Sequence, residues 1–223
     1  MGIQCVDCVK AAAGAQRPVR SRLGLKIASG PPAMTYGLVA LNVVAFLYGM
    51  SLKPGQLFSA WGLWPHYDAL HPYLYGGTEW WRWITNGFVH ENVLHIGMNM
   101  FVLLMFGRQV EVLLGRVRFA ILYGTSLLGS GVLVAILGVT GSVNGGASGA
   151  IFGLIAGYVV IAMTLRLPVQ SLVLQAGAWL VIGFFVPGLS WQGHLGGALT
   201  GWVVTTVILR LASRQTARGS RPA

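Results

Sequence analysis

Charge is what this sequence has least of. Of its 223 residues 9% are Asp, Glu, Lys or Arg against 55% hydrophobic, and only five are acidic. A water-soluble domain carries roughly 25% charged residues, so this chain cannot cover a water-facing surface. Long apolar runs take up most of it, and an all-α polytopic membrane protein is the expectation. At ~20 residues per span plus short loops, about six spans use nearly the whole length and leave no room for a second large domain. Cysteine is almost as scarce. The two, Cys5 and Cys8, form a C-x-x-C without the second pair or nearby histidine that a four-ligand zinc site takes. They read as unpaired thiols or half of a site, and no metal or other cofactor is expected. A secretory signal is missing too: the N-terminal segment is polar and basic, and the first apolar run is too long for a signal h-region. Repeated halves and a charged intramembrane path are absent, which argues against a small transporter or channel.

The net charge is +10. The basic residues sit at the ends of apolar runs with no aromatic-basic reading surface, so nucleic acid is not the expected partner. Positive-inside topology and anionic lipid headgroups account for the charge instead. Residues 1–33 carry Lys10, Arg17, Arg20, Arg22 and Lys26 and end in Gly30-Pro31-Pro32; they read as a basic cytosolic segment. Residues 34–211 form the membrane domain and residues 212–223 a basic tail. Predicted spans are Met34–Leu52, Thr85–Phe106, Phe119–Val139, Ser148–Leu165, Val169–Phe185 and His194–Leu211. Residues 53–80 hold Trp61, Trp64, Tyr67, Tyr73, Tyr75 and Trp80 among prolines and glycines. They are too broken to cross and suit the headgroup layer. With the N-terminus inside, the inner segments hold five, three, one and four Lys/Arg, thirteen of the fifteen, and the outer ones only Lys53 and Arg82. Both termini are therefore expected in the cytosol, where thiols stay reduced.

Polar groups within spans are costly unless they face a partner or a wet cavity. Ser148 heads an apolar helix inside Gly145-Gly146-Ala147-Ser148-Gly149-Ala150, with almost no side-chain bulk around it. His194 opens a Gly-rich span. His95 and Asn99 are four apart and share a helix face, whereas His90 points about 140° away from His95. Singly, each has a plain structural explanation: a serine bonding its own helix, a packed histidine, an interhelical hydrogen bond. Together, all in the outer half of the bilayer, they are the parts of an acyl-transfer site: nucleophile Ser148, base His194, and oxyanion donors His95 and Asn99. None of the acids can be assigned beside His194, so a Ser–His dyad is expected. Gly149-x-x-x-Gly153-x-x-x-Gly157 and Gly197-x-x-x-Gly201 put glycine on one face of spans 4 and 6, which lets their backbones touch and brings Ser148 to His194.

These residues resemble the rhomboid family of intramembrane serine proteases. Gly146-Ala147-Ser148-Gly149 is similar to the family's G-x-S-G nucleophile motif. His95-x-x-x-Asn99 resembles its H-x-x-x-N, with His90 at the place of another frequent histidine. His194 followed by Gly197-x-x-x-Gly201 resembles its sixth span, Trp81-Arg82 the pair in its first loop, and Glu111 the acid after its second span. The resemblance implies six spans in a bacterial inner membrane, both termini cytoplasmic, no cofactor, and cleavage of single-span membrane proteins near the outer face. Phe152 stands where the family often has tyrosine; its ring is expected to pack on His194. Cys5 and Cys8 resemble the end of a small zinc-ribbon-like extension of some bacterial relatives. An inactive relative acting as a membrane chaperone or adaptor would usually lack Ser148 or His194. Oligomeric state is not legible here.

Overall fold

The computed structural model describes residues 5–7, 21, 23–25, 30–64, 79–139, 141–185 and 189–219. Expectations on Cys8, on residues 65–78 with Tyr67, Tyr73 and Tyr75, and on Pro187-Gly188 lie outside them. The described residues form a helical membrane bundle without β-strands; one isolated antiparallel bridge pairs Leu63 with Asn144. In order come α1 (Ala33–Met50), α2 (Gln56–Trp61), α3 (Arg82–Thr85), α4 (Val93–Leu114), α5 (Arg116–Leu137), α6 (Ser148–Thr164), α7 (Gln170–Phe185) and α8 (Trp191–Gly219). Helices α1, α4, α5 and α8 contain stretches long and apolar enough to cross a bilayer, and α6 is apolar but shorter.

Each start and stop has a chemical cause. Pro31-Pro32 blocks extension of α1 backwards, and its exposed N–H groups are satisfied from a distance. Glu111 accepts from Met34 N–H (3.0 Å), Thr35 N–H (2.8 Å) and the Thr35 hydroxyl (2.8 Å). A buried carboxylate thus caps the positive end of a helix. Asn92 caps α4 by accepting from His95 N–H at 2.9 Å, and Ser190 caps α8 by accepting from Gly193 N–H at 3.3 Å.

Both ends of two spans differ from the sequence reading. Thr85–His90 is not part of the second span: α3 ends at Thr85, Asn86–Phe88 is a 3-10 turn, and Asn92 starts α4. At its other end α4 runs on through Glu111 to Leu114, helical where a basic connection was expected, with Leu103–Gly107 wound as π-helix. The charges there do not unwind it, because Glu111 is held by α1 rather than by water. The last helix begins at Trp191, one turn before His194, and continues to Gly219 through most of the basic tail.

The centre of the bundle is α6. Its buried residues fall all round it, from Gly149 to Ala162, as expected of a helix enclosed by others. Glycine makes that enclosure. A Cβ on Gly197 would lie on the backbone of Gly149, one on Gly201 on the backbone of Gly153, and one on Gly196 on the backbone of Gly129. Ser130 and Ser126 of α5 fill the space where Cβ atoms of Gly149 and Gly153 would sit. Helices α5, α6 and α8 therefore meet backbone to backbone, the small-residue packing that association in lipid favours.

Helix α6 has 17 residues. At ~1.5 Å per residue it spans about 25 Å, less than the ~30 Å hydrocarbon core. At least one of its ends therefore lies below a membrane face, and a loop joined to that end enters the membrane.

Candidate active site

Non-helical backbone at that depth persists only where its polar groups are satisfied within the protein. Leu63 and Asn144 exchange both backbone hydrogen bonds (2.7 and 2.8 Å), and Gly146 N–H donates to the Asn86 carbonyl at 2.8 Å. Ala147 N–H donates to His90 Nε2 at 3.4 Å. The loop is thus pinned on three sides. Gly146 has φ +124°, a conformation that side chains resist, and it turns the chain into α6.

Behind these partners lies Arg82. Its guanidinium is buried, pairs with Glu79 at 2.7 Å, and donates to the carbonyls of Ser59 (2.8 Å) and Gly62 (2.9 Å). Asn86 Nδ2 donates to the Arg82 carbonyl at 2.6 Å. Arg82 therefore ties together the two stretches, one ending in Leu63 and the other holding Asn86, that meet the loop before Ser148. Trp81, half-exposed, lends its carbonyl to the N–H groups of Ile84 and Thr85. Glu111 sits at the other end of α4, holding α1.

At the head of α6, Ser148 Oγ lies 3.0 Å from His194 Nε2. The sequence separates them by 46 residues; the glycine faces of α6 and α8 bring them together. With the ring proton on Nδ1, Nε2 accepts the serine O–H. His194 Nδ1 is buried and has no hydrogen-bond partner among the described residues, so none of their carboxylates stands behind the base. Phe152, one turn below Ser148, stacks flat on the imidazole, centroids 4.2 Å apart and planes 12° from parallel.

His95 and His90 meet edge to face at 4.9 Å, but they face different tasks. Ser148, His194, His95, Asn99 and Phe152 all line one cavity of about 540 Å³ between α4, α6 and α7. His90 is not among its lining residues; its Nε2 is engaged with the loop. Asn99 Nδ2 donates to the His95 carbonyl at 2.9 Å, which leaves its second amide N–H for the cavity. Gly149 turns away from the cavity toward Ser130, and Gly197 and Gly201 act through packing alone. Cys5 is exposed, and no group of three or more potential metal ligands occurs among the described residues.

Sequence reasoning missed Asn86, Asn144 and Leu63, whose backbones hold the loop. Nothing in their side chains signals it. Asn92 was missed as well, being placed inside the second span, although an asparagine directly before an apolar helix is an N-cap signal.

The sequence model of the Rhomboid domain matches residues 77–211. The chain belongs to the rhomboid family. It is 31% identical over 182 residues to Rhomboid protease GlpG of Photorhabdus laumondii, covering 78% of this chain and 60% of that protein. It is 27% identical over 191 residues to Rhomboid protease GluP of Bacillus subtilis (81% and 36%) and 34% identical over 140 residues to RHOMBOID-like protein 4 of Arabidopsis thaliana (60% and 35%). The chain thus spans between about a third and three fifths of the length of these curated relatives. Rhomboid proteins are in general serine proteases working within the bilayer on transmembrane substrates, and this rhomboid chain is a membrane protein of that family.

Proposed function

We propose that this rhomboid chain is itself an intramembrane serine endopeptidase, cleaving single-span membrane proteins near the outer face of a bacterial inner membrane with both its termini in the cytoplasm. The observation that carries this reading is the 3.0 Å approach of Ser148 Oγ to His194 Nε2 at the wall of a membrane-embedded cavity.

In this reading Ser148 Oγ attacks the scissile carbonyl while His194 Nε2 takes its proton. The oxyanion is held by His95, the free N–H of Asn99 and the backbone N–H of Ser148, which as the first residue of α6 has no partner one turn back. His194 then passes the proton to the leaving amine. Water entering the cavity from the outer side attacks the acyl-enzyme, giving up its proton to His194, and the serine is regenerated. Phe152 keeps the imidazole in plane through both transfers. Helix α7 flanks the cavity and is the side from which a substrate helix enters.

The test is covalent labelling of the purified full chain by a fluorophosphonate or isocoumarin probe, paired with cleavage of a single-span substrate. Labelling and cleavage both disappear in Ser148→Ala, with kcat falling on the order of 10⁴–10⁶-fold. Labelling that survives Ser148→Ala, or a wild type that neither labels nor cleaves, overturns the assignment and leaves a non-catalytic membrane adaptor.

A further inference from the structure

The site cavity does not end at the catalytic candidates. A second cavity of about 410 Å³ lies beneath it, lined by Tyr158, Ala162, Leu167, Pro168 and Ser171. Met105, Phe106, Leu172 and Gln175 line both. The two form one cleft between α4 and α7, running from the mouth beside Ser148 toward the inner ends of the helices.

Below the candidate catalytic residues its polar lining is Tyr158 on α6 and one line on α7. Ser171, Gln175 and Trp179 recur every four residues along α7, so they share a face, and all three line the cleft. Gln175 stands at the junction of the two cavities. Three other side-chain amides of the bundle each donate to a helix carbonyl: Asn42 to that of Leu38 at 2.8 Å, Asn99 to that of His95 at 2.9 Å, and Gln192 to that of Leu137 at 3.1 Å. Gln175 has no hydrogen bond to a described residue, and it is exposed to the cleft. An unpaired amide at membrane depth is unfavourable and marks a place where a partner arrives. Helix α7 itself is apolar on either side of it, with Val173, Leu174 and Ala176 as neighbours.

We propose that Gln175 is a specificity-determining residue that hydrogen-bonds a polar side chain (Asn, Gln, Ser or Thr) in the membrane-embedded part of the substrate helix. This rests on the proteolytic reading above and adds a substrate class to it. Depth follows from α4. Met105 and Phe106, beside Gln175, are about three helical turns past His95, roughly 15 Å deeper. The recognised side chain therefore lies about two to three turns past the scissile bond. An amide suits this role, since it both donates and accepts and so takes either an amide or a hydroxyl. The occupant is a protein helix rather than a lipid tail, because an acyl chain offers the amide nothing to bond.

The experiment uses the full chain in vesicles of phosphatidylethanolamine and phosphatidylglycerol. A single-span substrate carries either Asn or Leu at each of the positions six to twelve past the cut. The readout is the ratio of kcat/KM for the Asn and Leu forms within each enzyme variant, which cancels any general loss of activity. In the wild type the ratio is roughly 3–15 at one or two neighbouring positions, the size expected for one hydrogen bond within a membrane. It falls to about 1 at those positions in Gln175→Leu, and Gln175→Asn restores part of it. A ratio that Gln175→Leu leaves intact overturns the proposal. So does a preference for Asn that is equal at all positions, which would report easier helix unwinding alone. Cleavage of the Leu substrates that is lost in Ser148→Ala upholds the proteolytic reading whatever the ratios; absence of any wild-type cleavage removes both.

Discussion

A Cβ atom on Gly146 would stand 2.8 Å from His95 Nε2 and 3.8 Å from Ser148 Oγ. The glycine therefore sets how near the imidazole of α4 comes to the serine of α6, and its φ of +124° is one that side chains rarely adopt. Gly146→Ala should leave a folded protein whose kcat is down by roughly 10–100-fold, because a sub-ångström displacement of an oxyanion donor is enough for that. Steady-state cleavage beside a thermal melt checks it: a melt that collapses, or a kcat that does not move, contradicts the assignment.

Phe152 bears on the base through its ring face alone. Phe152→Tyr keeps the stack and should retain cleavage. Phe152→Ala removes an aromatic contact worth about 0.5–1.5 kcal/mol, so kcat should fall roughly 2–12-fold if the ring's effect is confined to holding the imidazole. The ordering Tyr above Ala, measured as kcat on one substrate, is the outcome to look for.

Asn99 donates one amide hydrogen to its own helix, and only the other is free for chemistry. Asn99→Ala should therefore be milder than loss of Ser148 or His194, about 10–10³-fold in kcat with little change in KM, since one donor of several is removed. Equal damage from Asn99→Ala and His194→Ala would mean that the asparagine holds α4 in place instead.

Glu111 lines neither cavity, and its variants should separate stability from catalysis. Glu111→Ala strips three donors of α1 of a buried acceptor and should destabilise the protein by about 2–4 kcal/mol. Glu111→Gln, which keeps one acceptor oxygen, should fall in between. Serine-probe labelling at low temperature is expected to persist in both, while the unfolding midpoint in detergent drops.

The contact between α6 and α8 can be opened in steps. Gly201→Ala already places a methyl on the backbone of Gly153, and Gly201→Val places three carbons there. Both should lower the melting midpoint and the rate of probe labelling together, Val more than Ala, because the same approach that packs the helices brings His194 to Ser148.

Much of this was written in the spacing of small residues. Glycines four apart on two distant spans announced which helices touch, and a serine and a histidine at the heads of those spans followed. What the spacing did not reveal has a common physical origin: it concerns backbone groups, which every residue carries alike. The bridge of Leu63 with Asn144 and the Gly146 bond to Asn86 use main-chain atoms, so no side chain marks them. The extent of α4 was misjudged for a related reason. Arg108, Glu111 and Arg116 read as a connection because charge usually ends a span, whereas here the carboxylate is spent on another helix's N–H groups. The π-wound segment Leu103–Gly107 leaves no trace in an apolar stretch whose residues suit either winding.

The glycine seams among α5, α6 and α8 divide the molecule by its tolerance of change. Along those seams the main chains abut, so even a methyl has little room, and mutation there costs stability in proportion to the bulk added. Helix α7 turns most of its length outward and can exchange side chains without disturbing its neighbours. Libraries aimed at redirecting this protein to new targets belong on the cleft-facing positions of α7, where diversity is least damaging and most consequential.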